Sequence, residues 1–306
     1  PATPVCDSGL PQPNDSAVVG VDRAKTQGLA GQFRVFRNRD QRPSGSTRLH
    51  PGEPSTIANG DTWFATGNTY ASLSRDSGQT WSYVNPNTTF PASDGGVCCD
   101  QRVLYIPNLD MTVWFIQYRR SATSRTGGFR IAVARSKADL RAGRWFSYYW
   151  NTRNFGNLAN SGLDQWFDFP DISASRDYLY IASNVFNFSS QYRNSAVIRM
   201  RLAGLDGSGS IGAVYYLRSG GPGPMGGGAS YRFTQTYSGN RPNQMFWASH
   251  NNTGNIRIFQ WLDSATALLP MWMHREDGSA FDGDPRHALA AVLKRYKDRG
   301  LTPICG

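Results

Sequence analysis

The chain has 306 residues, 32 glycines, 17 prolines and 13% aromatic content, which is typical of a turn-rich β protein and argues against a helical one. Its net charge of +10 fits an anionic partner such as an acidic polysaccharide, or a basic surface that is only solvated. No run of five basic residues suggests a nucleic-acid-binding arm, and no stretch approaches the length of apolar sequence that a membrane span requires.

Strand-like sequence recurs along the chain, beginning with a partial blade at residues 17–38. Four later apolar runs align with one another, each followed by a polar loop and another strand-like run: Thr62–Thr66, Val113–Gln117, Leu179–Ser183 and Met245–Ser249. Their aligned aromatic residues are 51, 66 and 67 residues apart, which suits four-stranded β-propeller blades with long insertions. We predict blades over residues 13–45, 46–95, 96–160, 161–220 and 221–263.

Residues Ser74–Trp81 fit the pattern Ser-x-Asp-x-Gly-x-x-Trp between two strand-like runs. In such a turn the carboxylate of Asp76 accepts hydrogen bonds from backbone amides, and Gly78 supplies a position of positive φ. Trp81 caps the turn by burying its ring. We expect Ser74, Asp76, Gly78 and Trp81 to be structural and to lie away from the functional face.

This pattern is the Asp-box, and with the Trp-rich hairpins it makes residues 13–263 resemble the sialidase-like (BNR-repeat) β-propeller superfamily. Its members include exo-glycosidases, polysaccharide lyases and sugar-binding lectins. The segment Asp94–Gln101 also resembles stretches in secreted bacterial propellers of unassigned function. The arginine triad of sialidases is not recognisable, so the resemblance implies the scaffold and not the sialidase reaction. The expected fold class is all-β: an incomplete propeller with four to five recognisable blades and a short C-terminal helical tail.

The composition changes after residue 263. Asp284 and Pro285 form a helix start, apolar residues follow at three- and four-residue spacing, and Gly300 ends the pattern, which predicts an amphipathic helix over 285–299. Residues 273–304 resemble the glutamine synthetase region that joins its N-terminal domain to its catalytic domain. The chain ends before the strand that carries that family's first metal ligands. We therefore predict a glutamine-synthetase-like fragment over 264–306 that carries no metal or ATP site.

The four cysteines are Cys6, Cys98, Cys99 and Cys305, and they allow three pairings. The adjacent pair can close a vicinal disulfide, and Cys6 can meet Cys305 to join the ends of the propeller. Their spacing matches no common zinc motif. Cysteine usage favours a secreted, extracellular protein. The start at Pro1 fits either a mature form or a fragment.

Blade geometry assigns the loops to two faces. If the Ser74–Trp81 turn lies on one face, the loops that enter each first strand lie on the opposite face, together with the loops between second and third strands. The substrate-binding residues predicted on that face are His50, Arg119, Arg120, Trp166, Asn184, Arg193 and Asn251. The arginines can clamp a carboxylate, although a solvated surface role explains them as well.

Three residues are the candidate catalysts. His250 can abstract a proton beside a uronate carboxylate or protonate a leaving oxygen, unless it is a hydrogen-bonded structural histidine. Tyr118 can be an acid or base in a lyase, a sugar platform or a packing residue. Asp171 belongs with Asp164 and Asp168 to an acidic cluster that can run glycoside hydrolysis, bind Ca²⁺ or cap turns. Asp100, beside the paired cysteines, is equally ambiguous.

Together these features predict a secreted propeller that acts on an acidic glycan, either as a glycoside hydrolase or as a polysaccharide lyase. The expected partner is an anionic oligosaccharide or polysaccharide, with no nucleic acid involved. The alternative is a lectin-like or structural propeller that holds sugars without turnover. No cofactor is expected, apart from Ca²⁺ if the acidic cluster binds it.

Overall fold

The computed structural model describes residues 53–159, 164–205, 207, 211–219, 230–235, 241–252, 255–265 and 269–272. Within these residues the chain is all-β, with sixteen strands in four antiparallel blades whose strands pair in chain order. The described α-helices are short: α1 (Pro86–Thr89), α2 (Lys137–Ala142) and α3 (Gly156–Ala159). This confirms the predicted scarcity of helix in the blades. None of the described helices has the length and apolarity needed to cross a membrane.

The blades have the following strands. The first contains β1 (Ser55–Asn59), β2 (Thr62–Thr66), β3 (Ala71–Ser74) and β4 (Ser82–Val84). The second contains β5 (Arg102–Ile106), β6 (Met111–Gln117), β7 (Thr126–Ala134) and β8 (Phe146–Asn151). The third contains β9 (Gln165–Ala174), β10 (Tyr178–Asn187), β11 (Tyr192–Arg201) and β12 (Ala213–Ser219). The fourth contains β13 (Arg232–Phe233), β14 (Gln244–Asn252), β15 (Asn255–Leu262) and β16 (Leu269–Trp272).

These bounds place the four aligned apolar runs on the second strand of each blade. The fourth blade extends beyond residue 263, its predicted end, because β16 pairs with β15 over Leu269–Trp272. A short parallel pairing between β7 and β9 also links the second and third blades. The predicted N-terminal blade at 13–45 and the helix at 285–299 lie outside the described residues.

Hydrophobic residues do not alternate with polar ones in the apolar runs, because each blade packs against a neighbour on both of its faces. On β6, Val113 and Phe115 join the cluster shared with the third blade, whereas Trp114 and Ile116 join the cluster shared with the first. Successive side chains of a strand point to opposite faces, so a strand between two neighbours is apolar at every position. A third cluster, around Trp247, fills the space between the third and fourth blades.

Residues Ser74–Trp81 form the turn between β3 and β4, and the ring that covers Gly78 is that of Trp63 rather than the expected Trp81. Asp76 accepts hydrogen bonds from the Thr80 amide at 2.8 Å and the Thr80 hydroxyl at 2.6 Å. These bonds lower the pKa of Asp76 to about 2. Gly78 has φ +79°, and the ring of Trp63 lies against it. Trp81 is only half-buried and donates from Nε1 to the Gly78 carbonyl at 3.2 Å.

The first strands of the four blades are neighbours in space, with β1 beside β5, β5 beside β9 and β9 beside β13. This arrangement is that of the innermost strands of a propeller, which surround its central channel. A cavity of about 520 Å³ runs along β1 and β5 and reaches Asp171, Ile172 and Gln235. Residues at the start of each inner strand therefore meet around one end of this channel.

Candidate functional site

Two aspartates from different blades meet beside this channel. Asp100 lies two residues before β5, and Asp168 lies on β9. The backbone amide of Phe169 donates to Oδ2 of Asp100 at 3.1 Å and to Oδ1 of Asp168 at 3.0 Å. Asp100 and Phe169 both have positive φ, +30° and +56°, although neither is glycine. Such backbone conformations persist only where the surroundings fix them, and they concentrate at functional sites.

The carboxyl group of Asp100 keeps its proton to a much higher pH than an ordinary aspartate does. Only 8% of the residue is exposed. Burial, followed by a hydrogen bond and repulsion from the carboxylate of Glu53, raises the pKa of Asp100 to about 7, against smaller opposing effects of Arg102 and the Phe169 amide. Glu53 precedes β1, and its Oε2 is buried without a hydrogen-bond partner among the described residues. Two acidic groups in contact thus favour one shared proton.

Asp168 is more exposed than Asp100 and has a different set of partners. Burial raises its pKa, and the charge of Asp100 adds to that effect. A hydrogen bond from Nε2 of the buried Gln117, at 3.0 Å to Oδ1, acts in the opposite direction. Gln117 also donates to the carbonyl of Phe167 at 3.0 Å, so its amide is fixed where it meets Asp168. N–H donors favour the ionised form of a carboxyl group.

Two arginines lie beside the acidic groups. Arg102 Nε and Arg232 Nη1 both donate to the carbonyl of Pro170, at 3.3 and 3.1 Å. The guanidinium of Arg232 stacks over the ring of Phe169 at 4.1 Å. Burial lowers the pKa of Arg232, whereas the charge of Asp171 raises it. The guanidinium groups bring positive charge to a site that otherwise carries acidic groups.

Asp171 lies at this end of the channel but is held by backbone amides. Its Oδ2 accepts from the Phe233 amide at 2.8 Å, and its Oδ1 accepts from the Ile172 amide at 3.1 Å. Burial raises its pKa, while the Phe233 amide and the two arginines lower it. The bond from the Phe233 amide joins β9 to β13 of the next blade, so the geometry gives Asp171 a structural task.

Cys98 and Cys99 form a disulfide, as predicted for the adjacent pair. Both are partly exposed. The Sγ atom of Cys99 and carboxylate oxygens of Asp100 and Asp168 all lie within 4.8 Å of one another. The disulfide therefore forms part of the wall around the acid pair. Cys6 and Cys305 lie outside the described residues.

This cluster does not fit a Ca²⁺ ion. Calcium takes six to eight oxygen ligands, and the sulfur of Cys99 is engaged in the disulfide. The cluster offers only two carboxylates, those of Asp100 and Asp168. Asp164, the third member of the predicted acidic cluster, forms an ion pair with Arg125 at 2.6 Å instead.

Tyr118, a predicted catalyst, is 1% exposed and belongs to the core between the first and second blades. Its hydroxyl accepts from Nε of the buried Arg130 at 2.9 Å. Its ring packs edge-on against Tyr149, and a backbone bridge joins Tyr118 to Val97. The residue expected in a rim loop therefore continues the pairing of β6, and its hydroxyl is directed into the core.

Several predicted binding residues lie on the surface of the second and third blades. Arg120 is exposed and its guanidinium lies 5.7 Å from the ring of the half-buried Trp166 and 5.6 Å from that of Phe188. Arg119 is exposed next to it. Arg193 is also exposed and donates to Gln191 Oε1 at 3.1 Å. Arg120 and Trp166 are thus brought together as one basic, aromatic surface.

Asn184 is 5% exposed, and its amide joins two blades. Its Oδ1 accepts from the Ser230 amide at 2.8 Å and from the Ser195 hydroxyl at 3.2 Å. His250 and Asn251 lie on β14, but the positions of their side chains are outside the described part of the chain, as is all of His50. The roles proposed for these three residues stay predictions.

Sequence reasoning did not single out Glu53, Arg102, Arg232 or Gln117, and it left Asp100 ambiguous. The feature that identifies Glu53, Asp100 and Arg232 is their position at or just before the inner strand of a blade. Glu53 and Asp100 stand two residues before β1 and β5, and Arg232 begins β13. Aligning the starts of the inner strands, rather than the aromatic runs, would have placed these groups at the same end of the channel.

Comparisons with known proteins give structural similarity only. No protein-family model matches the sequence, and no curated protein matches it. A GH43 endo-arabinanase from Bacillus licheniformis aligns over 74% of this chain and 75% of its own, with 15% identity and a TM-score of 0.40. The catalytic domain of a GH62 α-L-arabinofuranosidase from Coprinopsis cinerea aligns over 79% and 76%, with 11% identity and a TM-score of 0.41. Trypanosoma rangeli sialidase aligns over 71% and 36%, with 10% identity and a TM-score of 0.38. With TM-scores this low, we take the fold from the blades themselves.

Proposed function

We propose that this propeller is a glycoside hydrolase in which Asp100 is the proton donor and Asp168 is the second carboxylate. The observation that supports this most strongly is the pKa of Asp100, raised to about 7, next to a more exposed carboxylate. Hydrolysis of a glycosidic bond needs one carboxyl group that keeps its proton at the working pH and one that gives it up. The pKa of Asp168 is raised as well, but its greater exposure and the amide donor Gln117 favour its ionised form, which supports the assignment of the two roles.

In the proposed reaction, Asp100 protonates the glycosidic oxygen while the bond to the anomeric carbon breaks. The carboxylate of Asp168 attacks that carbon, and water then releases the sugar while Asp100 takes back a proton. One oxygen of Asp100 and one oxygen of Asp168 lie within 4.8 Å of each other. Carboxyl groups are about 5–5.5 Å apart in retaining enzymes and about 6.5–9.5 Å apart in inverting ones. The short separation therefore favours double displacement with retention.

The proposed substrate is an anionic glycan that contains uronate groups. Arg102 and Arg232 lie beside the acid pair, and Arg232 is exposed. Arg119 and Arg120 are exposed on the same blade as Asp100. Guanidinium groups bind carboxylates in a bidentate fashion, and the chain carries a net charge of +10. The proposed location is extracellular, and the disulfide supports it, since disulfides persist in oxidising compartments.

The geometry favours hydrolysis over β-elimination. A lyase needs a base that reaches the carbon beside the uronate carboxylate. The hydroxyl of Tyr118, predicted for that task, is buried and bonded to Arg130. His250 keeps its proposed role as the residue that would support a lyase.

The test uses polygalacturonate and its carboxyl-reduced, neutral counterpart. We expect new reducing ends from polygalacturonate, without the ultraviolet absorbance of an unsaturated lyase product, and less cleavage of the neutral polymer. Asp100→Asn should remove the activity. Asp164→Asn is the matched control, because Asp164 pairs with Arg125 on the surface. Binding of polygalacturonate without any new reducing ends would support a lectin-like function and contradict this proposal.

A further inference from the structure

We propose that the Cys98–Cys99 disulfide is a positioning element of the acid pair, which holds Asp100 against Asp168 so that catalysis depends on the oxidised form. The kinetic part of this inference rests on the proposed function. The placement of Asp100 does not, because it can be measured without substrate.

The chain just before Asp100 is attached to the residue that holds Asp168. The Cys98 amide donates to the backbone carbonyl of Gln117 at 3.0 Å. The side chain of the same Gln117 donates to Asp168 at 3.0 Å. One residue at the end of β6 therefore fixes both the start of the disulfide and the second carboxylate.

The chain just after Asp100 is attached to the first blade. Gln101 is fully buried, and its Nε2 donates to the Gly67 carbonyl at 2.6 Å. Its Oε1 accepts from Nε1 of Trp114 at 2.8 Å. Asp100 is thus held on both sides, and Cys99 is the residue between it and the anchor at Cys98.

The disulfide limits the rotation that would release Asp100. A bond between adjacent cysteines closes an eight-membered ring that includes their peptide group, so the backbone torsions within the ring cannot turn freely. Asp100 has φ +30°, a conformation that a non-glycine residue keeps only when its surroundings impose it. Opening the ring lets Cys99 rotate and lets Asp100 relax toward negative φ. That change moves its carboxyl group away from the Phe169 amide.

Reduction opens the ring without changing any atom of Asp100. A trialkylphosphine gives two electrons to the disulfide and takes up oxygen from one water molecule. The two protons of that water end on the two thiols. The phosphine is oxidised and the disulfide is reduced, and a disulfide oxidant reverses the change on the protein. The charged or titratable groups that act on Asp100, or on which Asp100 acts, are Glu53, Arg102, Asp168 and Arg232.

The experiment uses the full chain carrying Cys6→Ser and Cys305→Ser, so that only Cys98–Cys99 responds to the phosphine. Alkylation and peptide mapping establish the redox state, and tryptophan fluorescence checks that the blades stay folded. The first measurement is kcat and KM on polygalacturonate. We expect reduction to lower kcat by about 10²-fold, with KM changed by much less, because a misplaced catalytic group loses rate before affinity. Reoxidation should restore kcat.

The second measurement needs no substrate. Aspartate labelled with ¹³C at the carboxyl carbon gives a titration of Asp100, identified by its loss in Asp100→Asn. We expect a midpoint near pH 7 in the oxidised form, in line with the pKa of about 7, and a lower midpoint after reduction. A second variant, Cys98→Ser with Cys99→Ser, should match the reduced form in both measurements.

Reduced protein that keeps the oxidised midpoint, and kcat within about twofold where there is turnover, would overturn the positioning role. If neither form cleaves any glycan, the proposed function fails, and the titration alone decides whether the disulfide positions Asp100. A midpoint that moves down on reduction supports the positioning role in that case as well.

Discussion

Asp100 and Asp168 accept hydrogen bonds from one and the same backbone amide, that of Phe169, at 3.1 and 3.0 Å. The shared donor fixes the two carboxyl groups relative to each other, although they come from different blades. Their environments differ, since Asp100 is buried against Glu53 and Asp168 is held by Gln117. This difference is the physical basis for assigning them different tasks.

The separation of the two carboxyl groups predicts the stereochemistry. If Asp100 and Asp168 are the catalytic pair, the first sugar released keeps the anomeric configuration of the bond that was cut. Proton NMR of the early products, recorded before mutarotation, measures this. Spontaneous mutarotation of the authentic sugar is the control. An inverted product would show that Asp168 does not act as the nucleophile.

The raised pKa of Asp100 predicts a gain in stability when its charge is removed. Its folded pKa of about 7 lies above the ordinary value of 3.8, so the folded state retains a proton that the unfolded state loses. Stability from this group is fully present at low pH and is lost as the pH rises through 7. Asp100→Asn cannot ionise, so we expect it to exceed the wild type at pH 8 by on the order of a few kcal/mol, and to match it near pH 4.

Urea denaturation at both pH values measures this difference. Asp164→Asn is the control with the opposite sign, because the hydrogen bond and charge of Arg125 lower the pKa of Asp164. Removing that carboxylate should lower stability at neutral pH. An Asp100→Asn curve that runs parallel to that of the wild type would contradict the raised pKa.

Substitutions of Asp171 test whether its carboxylate is structural or catalytic. Asp171→Ala leaves the Phe233 amide without its acceptor and should cost about 1–3 kcal/mol of unfolding free energy. Asp171→Asn keeps an oxygen in place and should cost less, with kcat reduced by less than about tenfold. Chemical denaturation and initial rates check both variants. If Asp171→Asn loses activity as completely as Asp100→Asn does, Asp171 belongs to the reacting groups.

Tyr118→Phe tests the lyase assignment. The change removes the hydroxyl that accepts from Arg130, a charged donor, and should destabilise the protein by about 1.5–3 kcal/mol. Turnover should persist, because the hydroxyl is buried in the core and not directed to the acid pair. Thermal unfolding and the reducing-end assay give the two values. Loss of turnover in a variant that is still folded would show that Tyr118 has a catalytic role.

The sequence predicts those features that depend on neighbours along the chain. The Ser74–Trp81 turn follows from its own side chains, and the second strands follow from apolar residues that face both adjacent blades. The acid pair depends instead on how the inner strands of separate blades align around the channel. That alignment brings Glu53 to Asp100 through packing between blades, and no local sequence pattern indicates it.

Tyr118 shows why the sequence alone does not place a residue that lies at the end of a strand. The pair of arginines that follows it suggested a rim loop, and loops carry binding residues. The bridge to Val97 extends the strand by one pairing and turns the ring into the core, where Arg130 occupies its hydroxyl. Whether a residue at the end of a strand lies in a loop or continues the strand pairing depends on a segment from elsewhere in the chain.

The pH dependence of kcat/KM tests the central claim most directly. The measurement compares the wild type, Asp100→Asn and Asp164→Asn on polygalacturonate or its carboxyl-reduced form, whichever is hydrolysed. For the wild type and Asp164→Asn, kcat/KM should fall above pH 7 as Asp100 loses its proton. Asp100→Asn should lower kcat/KM by about 10²–10⁴-fold and abolish the alkaline fall in whatever activity remains. An unchanged alkaline limb in Asp100→Asn would show that another group donates the proton and would contradict the assignment of Asp100.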